Sequence, residues 1–138
     1  KKTPTKRGIM RIVLDTNVLV SAILTPAVRP AWLVGQVLAE RYRLCYDLRI
    51  LEEYRNVLLR PKFHLNAAYV GSFLEGLLSE AYLVAVPPLK VEFIDQGDKK
   101  FFEVAKYCQA TLVTGNLRHF PEDPLVVSVA DFCAREGA

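Results

Sequence analysis

Three carboxylates and one amide fall where this chain can do chemistry. Asp15 closes the apolar run Arg11-Ile12-Val13-Leu14, and Glu53 sits beside an otherwise apolar helical face. Asp98 opens a helical pattern, and Asn116 follows Val113-Thr114-Gly115. Oxygen-only donors of this kind suit Mg2+ or Mn2+, which a few carboxylates hold while several waters stay bound. Clustered carboxylates repel one another and need a compensating charge, and few cationic side chains lie beside these four in local sequence. An ion held there can activate water and offset charge on a phosphoryl group, the chemistry of phosphodiester hydrolysis. Taken singly, each residue also has an ordinary reading. Asp15 can cap the next helix, Glu53 can be a solvated residue beside Glu52, Asp98 can cap its helix, and Asn116 can be a turn residue after Gly115.

The elements that must position these groups alternate between strand-like and helical patterns, which predicts a three-layer α/β domain with a mostly parallel sheet flanked by helices. Arg11 to Asp15 reads as a first strand, buried on both faces. A short helix follows from near Asn17 to Leu24, stopped by Thr25-Pro26. A second runs from Pro30 to about Arg41, with Pro30 suited to a first turn. Arg43 to Asp47 is a second strand. Helices follow over about Arg49 to Leu59, with Ile50, Leu51, Tyr54, Val57 and Leu58 on one face, and over 67–80, with Val70, Phe73, Leu74 and Leu77 inward. Tyr82 to Val86 reads as a third strand, Asp98 to Tyr107 as a helix, Thr111 to Thr114 and Leu125 to Val127 as strands, and Val129 to Arg135 as a last helix. If the first and fourth strands are neighbours across a topological switch point, Asp15 and Asn116 face each other at the carboxyl ends where α/β sheets bind ligands. Asp98 then reaches the same crevice.

At this point the pattern resembles that of PIN-domain nucleases, in particular their toxin-like bacterial and archaeal branch. The resemblance is carried by Val13-Leu14-Asp15-Thr16-Asn17-Val18-Leu19-Val20-Ser21-Ala22, by Leu51-Glu52-Glu53-Tyr54 with Val57-Leu58 and Arg60-Pro61-Lys62-Phe63, by Asp98-Lys99-Lys100-Phe101-Phe102, and by Leu112-Val113-Thr114-Gly115-Asn116-Leu117-Arg118-His119-Phe120-Pro121. It spans essentially all of residues 10–135. It implies a PIN fold and metal-dependent cleavage of single-stranded RNA, commonly as the toxin of a toxin–antitoxin pair. By position, Asp15, Glu53 and Asp98 match the family's acidic metal-site residues, Thr16 and Thr114 its small polar residues, and Asn17 its usual amide. Asn116 departs from the pattern, because much of the family has Asp there. An amide oxygen still binds a metal's water but adds no negative charge. Asp95 and Asp123 are nearby acids that match no motif position and read as loop residues.

Lys99, Lys100, Arg118 and His119 are candidate RNA contacts, since a phosphate backbone calls for cations at the rim. The resemblance also implies an antitoxin partner and a homodimer, for which Trp32, Val70 and Leu74 are the candidate surface. His64 is given no role.

Composition bounds the rest. The chain has 138 residues, 51% hydrophobic and 24% charged, enough for one domain with a real core. Lys1, Lys2, Lys6 and Arg7 supply four of the 18 basic residues, so the remainder holds 14 against 15 acidic ones, a net of −1 beside the overall +3. Residues 1–9 thus read as a basic tail ahead of a near-neutral domain over 10–138. Cys45, Cys108 and Cys133 fit neither a disulfide framework nor a zinc spacing and read as reduced thiols of a cytoplasmic protein. No apolar stretch reaches membrane-spanning length, and no secretory signal is expected.

Two other enzyme-like classes with acids at strand ends fit poorly. A phosphatase of the haloacid dehalogenase type needs a second acid two positions after the first, where Asn17 stands. A response-regulator receiver needs an adjacent acid pair and a late lysine, and neither is present. The stronger alternative is a weakly active or inactive PIN-like domain that binds RNA or a protein partner, favoured by Asn116 and opposed by the intact Asp15, Glu53 and Asp98.

Overall fold

Five short strands, all parallel, form one sheet in the order β3-β2-β1-β4-β5. The computed structural model describes residues 8–25 and 28–137, so most of the basic tail and the Thr25-Pro26 stop lie at or beyond the edge of the described residues. The strands are β1 (Met10–Leu14), β2 (Tyr42–Tyr46), β3 (Tyr82–Leu83), β4 (Thr111–Thr114) and β5 (Val126–Ser128). The helices are α1 (Thr16–Leu24), α2 (Val28–Leu38), α3 (Leu48–Leu58), α4 (Ala67–Leu77), α5 (Lys99–Cys108) and α6 (Val129–Glu136). Helix α5 covers β1, β2 and β4, while α2 and α6 pack on each other and against β2 and β4. This is the expected three-layer α/β architecture.

The centre of the sheet explains its pattern. β1 pairs with β2 on one side and β4 on the other, with Ile12 opposite Leu44 and Leu14 opposite Val113. Ile12, Val13, Leu14, Leu112 and Val113 are fully buried, as continuous apolar runs in a two-sided parallel sheet should be. From β1 the chain moves outward to β2 and β3, then returns to β4 and β5, so the switch point lies between β1 and β4. The carboxyl ends of those two strands deliver Asp15 and the Thr114-Gly115-Asn116 turn side by side.

Three expectations need correction. The third strand stops at Leu83, with only Val84 N–H continuing the pairing to the Tyr46 carbonyl, because it is a sheet edge leading into Pro87-Pro88. Helix α2 spans Val28–Leu38 rather than about Pro30 to Arg41, with Pro30 in its first turn as expected. Val70 and Leu74 are core residues, at 1% and 3% exposure, so they offer no dimer surface; Trp32 is half-buried, edge-on to Tyr42.

Two polar anchors hold the frame. Asp47 caps α3 by accepting from Ile50 N–H, and Arg49 joins Asp47 to the buried Glu103 of α5 at 2.7 and 2.8 Å. Glu103 also accepts from Leu89 N–H at 2.8 Å, tying down the loop after β3. Fully buried Tyr54 on α3 donates its hydroxyl to the Leu14 carbonyl at 2.7 Å, bracing the end of β1 beside Asp15. Tyr54→Phe therefore leaves a buried carbonyl short of one donor and is expected to lower stability by about 1–2 kcal/mol. Urea unfolding measures it, and an unchanged midpoint would show that the hydroxyl carries no stabilisation.

Candidate active site

A cleft of about 530 Å3 opens at the carboxyl ends of β1 and β4, lined by Asp15, Thr16, Asn17, Glu53, Asp98, Asn116 and His119, with Val20, Ser21, Val57, Arg60, Phe63 and Asp95. Thr114 is buried beneath it. Segments far apart in sequence supply these side chains, and hydrogen bonds join them.

Asp15 stands at the N-cap position of α1, yet its side chain makes no capping bond. Its Oδ2 instead accepts from the Thr114 hydroxyl at 2.7 Å, and Thr114 Oγ1 accepts in turn from Asn116 N–H at 2.9 Å. Asp98 likewise precedes α5 without capping it, and its Oδ2 lies 3.1 Å from His119 Nδ1. Asn116 Nδ2 meets the other ring nitrogen, Nε2, at 3.0 Å. One assignment satisfies both contacts with a neutral ring: Nδ1–H donates to Asp98, and Nε2 accepts from the Asn116 amide. A continuous arc thus runs from Asp15 through Thr114, Asn116 and His119 to Asp98.

Glu53 completes the other wall. Its Oε2 accepts from Thr16 Oγ1 at 2.5 Å, and its Oε1 pairs with Lys100 Nζ at 2.6 Å. Asn17 faces the β4 turn, accepting from Gly115 N–H at 3.1 Å. A Cβ at Gly115 would lie 3.3 Å from that same oxygen, so this position favours glycine for close approach. The capping readings for Asp15 and Asp98 and the solvated reading for Glu53 do not hold in this structure, whereas Asn116 does lie in the turn after Gly115, with its side chain bonded to His119.

The electrostatics follow from burial and crowding. Asp15 is 6% exposed. Burial pushes its carboxyl up to about 6, the Thr114 hydrogen bond opposes the rise, and the charges of Asp98 and Glu53 add to it. The Asp98 carboxyl is also raised, mainly by burial, with His119 opposing and Asp95 and Glu53 adding repulsion. The cleft is therefore short of positive charge around Asp15 even after Lys100 has paired with Glu53.

Oxygen donors around a charge-poor centre fit a hard divalent cation by type. As the side chains stand, however, no three His, Cys, Asp or Glu among the described residues form a group able to hold an ion. Each acid is turned to a protein donor instead: Asp15 to Thr114, Glu53 to Thr16 and Lys100, and Asp98 to His119.

The expected rim contacts also redistribute. Lys100 is a partner of Glu53 rather than a free phosphate-binding cation, contrary to the scarcity of cations read from local sequence. His119 is tied to Asp98 and Asn116. Lys99 and Arg118 do not line the cleft. Asp123 pairs with Lys106 at 2.8 Å, whereas Asp95, a loop residue as expected, lines the cleft. Sequence reasoning gave no role to Arg60, Phe63, Asp95 or Tyr54. Two signals point to the first two: the pre-proline break at Arg60-Pro61, and the place of Arg60-Pro61-Lys62-Phe63 among the segments that carry the family resemblance.

The family model described as PIN domain matches residues 11–118, and the chain belongs to the PIN-domain family. Comparison with curated proteins found no match. Among solved structures, the fold is similar to VapBC2 from Rickettsia felis bound to a DNA fragment from their promoter, at 20% identity and TM-score 0.57, covering 86% of this chain and 97% of that one. It is also similar to DNA-bound VapBC from Salmonella typhimurium, at 16% identity and TM-score 0.59, covering 88% and 99%. A third similar structure is PAE2754 from Pyrobaculum aerophilum, at 16% identity and TM-score 0.60, covering 92% and 96%. At these identities the likeness establishes the fold, and the expected PIN architecture is correct.

The raised Asp15 carboxyl makes a pH prediction. In the folded state it takes up a proton near 6, against 3.8 in the ordinary case. Its folded form therefore binds more protons between those values, and stability falls as pH rises through that window. At about 1.4 kcal/mol per pKa unit, the loss approaches about 3 kcal/mol above pH 7. Asp15→Asn keeps an acceptor for Thr114 and removes the charge. In EDTA it is expected to melt several degrees above wild type at pH 7.5, with the gap closing near pH 4. A gap that does not change with pH would show that Asp15 ionises without penalty.

Proposed function

We propose that this chain is a Mg2+- or Mn2+-dependent endonuclease of single-stranded RNA, acting in the cytoplasm as the toxin of a toxin–antitoxin pair. The observation that carries the reading is the convergence of Asp15, Glu53, Asp98 and Asn116 in one cleft at the switch point of a PIN-domain sheet. Membership of the PIN family supports nuclease chemistry. The similarity to two VapBC complexes, both bound to DNA, supports an antitoxin partner.

Asp15 and Asp98 would hold the cation, with Glu53 beside them. When bound, a divalent ion supplies an activated water and offsets the charge that develops on the phosphoryl group. The chain's own residues prepare the site. Thr114 fixes the Asp15 carboxylate at the end of β4, and Thr16 and Lys100 fix Glu53. His119 orients Asp98 through Nδ1–H and is itself held by the Asn116 amide. Ion entry would draw Asp15 into its ionised form, because the added positive charge opposes the repulsion from Asp98 and Glu53.

A second reading, an RNA- or partner-binding module with weak or no cleavage, draws support from Asn116. A carboxylate at this position would bring a further negative charge, whereas the amide is already engaged with His119. A homodimer belongs to the same proposal. The large apolar side chains left exposed on α2 and α4 are Val28, Leu38 and Tyr69, and a monomeric mass by light scattering would count against it.

Cleavage of a mixed single-stranded RNA with Mn2+, and its loss in EDTA, is the expected result. Asp98→Asn is expected to abolish it and to lose most of the thermal stabilisation that Mn2+ gives wild type by mass action. Binding of RNA without cleavage in either ion favours the module. Equal stabilisation of wild type and Asp98→Asn by Mn2+ would remove Asp98 from the metal site.

A further inference from the structure

Alongside the carboxylate cleft lies a second hollow of about 430 Å3, and the two share Glu53, Val57, Arg60, Asp95 and Asp98. Arg60 is the only Lys or Arg lining both. The neighbouring cations are committed elsewhere, Arg49 to Asp47 and Glu103 and Lys100 to Glu53, and the His119 ring is held by Asp98 and Asn116. Arg60 is exposed, and among the described residues its side chain makes no hydrogen bond or ion pair.

Local sequence sets Arg60 in place. Pro61 bars the preceding residue from the helical region, so α3 ends and Arg60 takes φ −59°, ψ 134°. Pro61–Phe63 then forms one 3-10 turn, closed by His64 in the left-handed region at φ 57°. A non-glycine residue is uncommon there. The turn carries Phe63 to the cleft wall. Its ring is half-buried, but it stands outside the hydrophobic core that the flanking Leu59 and Leu65 join. Lys62 Nζ lies 5.3 Å from the ring centroid and adds positive charge at the rim.

We infer that Arg60 and Phe63 form a nucleotide subsite at the mouth of the cleft, Arg60 taking a backbone phosphate of single-stranded RNA and Phe63 stacking on an adjoining base. This inference rests on the nuclease reading above. A guanidinium with no protein partner suits a phosphate, and an aromatic face not used by the core suits an unstacked base. Phosphate held at Arg60 would also counter the repulsion that a strand meets on approaching Asp15, Glu53 and Asp98.

The test is binding of a fluorescent single-stranded RNA oligonucleotide in EDTA across a salt series, followed by kinetics with Mg2+. Arg60→Ala is expected to weaken binding several-fold and to reduce the salt slope by about 0.7. Phe63→Leu is expected to weaken it about 5- to 150-fold with the slope unchanged, and Phe63→Tyr to retain it. With Mg2+, both losses should appear mainly in KM. Neither side chain is in the core, so overlaid melting curves establish that the variants are folded. If wild type binds and cuts RNA while both variants match it, the subsite is wrong and the nuclease reading stands. An equal Phe63→Leu loss on duplex RNA also overturns the subsite, because stacked bases are not available to the ring. If wild type neither binds nor cuts RNA, the nuclease reading falls and the subsite with it.

Discussion

The hydrogen bond between Asp15 and Thr114 is the contact on which the site depends. It joins the carboxyl ends of two adjacent central strands, and the two residues are 99 positions apart in sequence. Parallel pairing of β1 with β4 brings them together, and the Asp15 N–H bond to the Val113 carbonyl extends that pairing by one residue. Tyr54 supports the β1 end from α3, and Asn17 supports the β4 turn from α1. Asp15 is thus held from several directions where burial and like charge both oppose its ionisation. A carboxylate placed this way at the expense of stability is a common mark of a functional site.

The remaining charges are arranged around that centre with little left over. Glu53 is offset by Lys100, and Asp98 is hydrogen-bonded to His119. Asn116 suits this arrangement because an amide can donate to His119 Nε2 while its own backbone N–H reaches Thr114. A carboxylate there would face the ring's lone pair and be repelled unless the imidazole gained a proton. The departure from the usual family residue therefore has a local physical account: the position completes a hydrogen-bonded arc rather than adding to the acidic charge.

The support for this cleft lies partly outside it. Arg49 bridges the cap of α3 to buried Glu103 on α5, and Glu103 holds the loop after β3 through Leu89. Helices α3 and α5 carry Glu53 and Lys100 and are followed or preceded by Arg60 and Asp98. Fixing those two helices to each other therefore fixes the width of the cleft. This is a common division of labour in α/β folds, where strand ends define the place and the neighbouring helices supply and hold the side chains.

The sequence by itself determined the element order and the mostly parallel α/β class, because both depend on local information, and it marked Asp15, Glu53, Asp98 and Asn116 as site candidates through the motifs that carry the family resemblance. Apolar runs such as Ile12-Val13-Leu14 specify buried strands, Pro and polar residues mark the breaks, and the motif residues sit within a few positions of those breaks. Only the tertiary structure decided the partners. Lys100 is 47 residues from Glu53, Arg49 is 54 from Glu103 and His119 is 21 from Asp98, so no local pattern says which charge meets which. The same holds for Val70 and Leu74, whose helical spacing fits a core face or a dimer face equally until α4 has packed. Side-chain pairing and burial are set by which surfaces meet on folding, and that is settled by the whole chain at once.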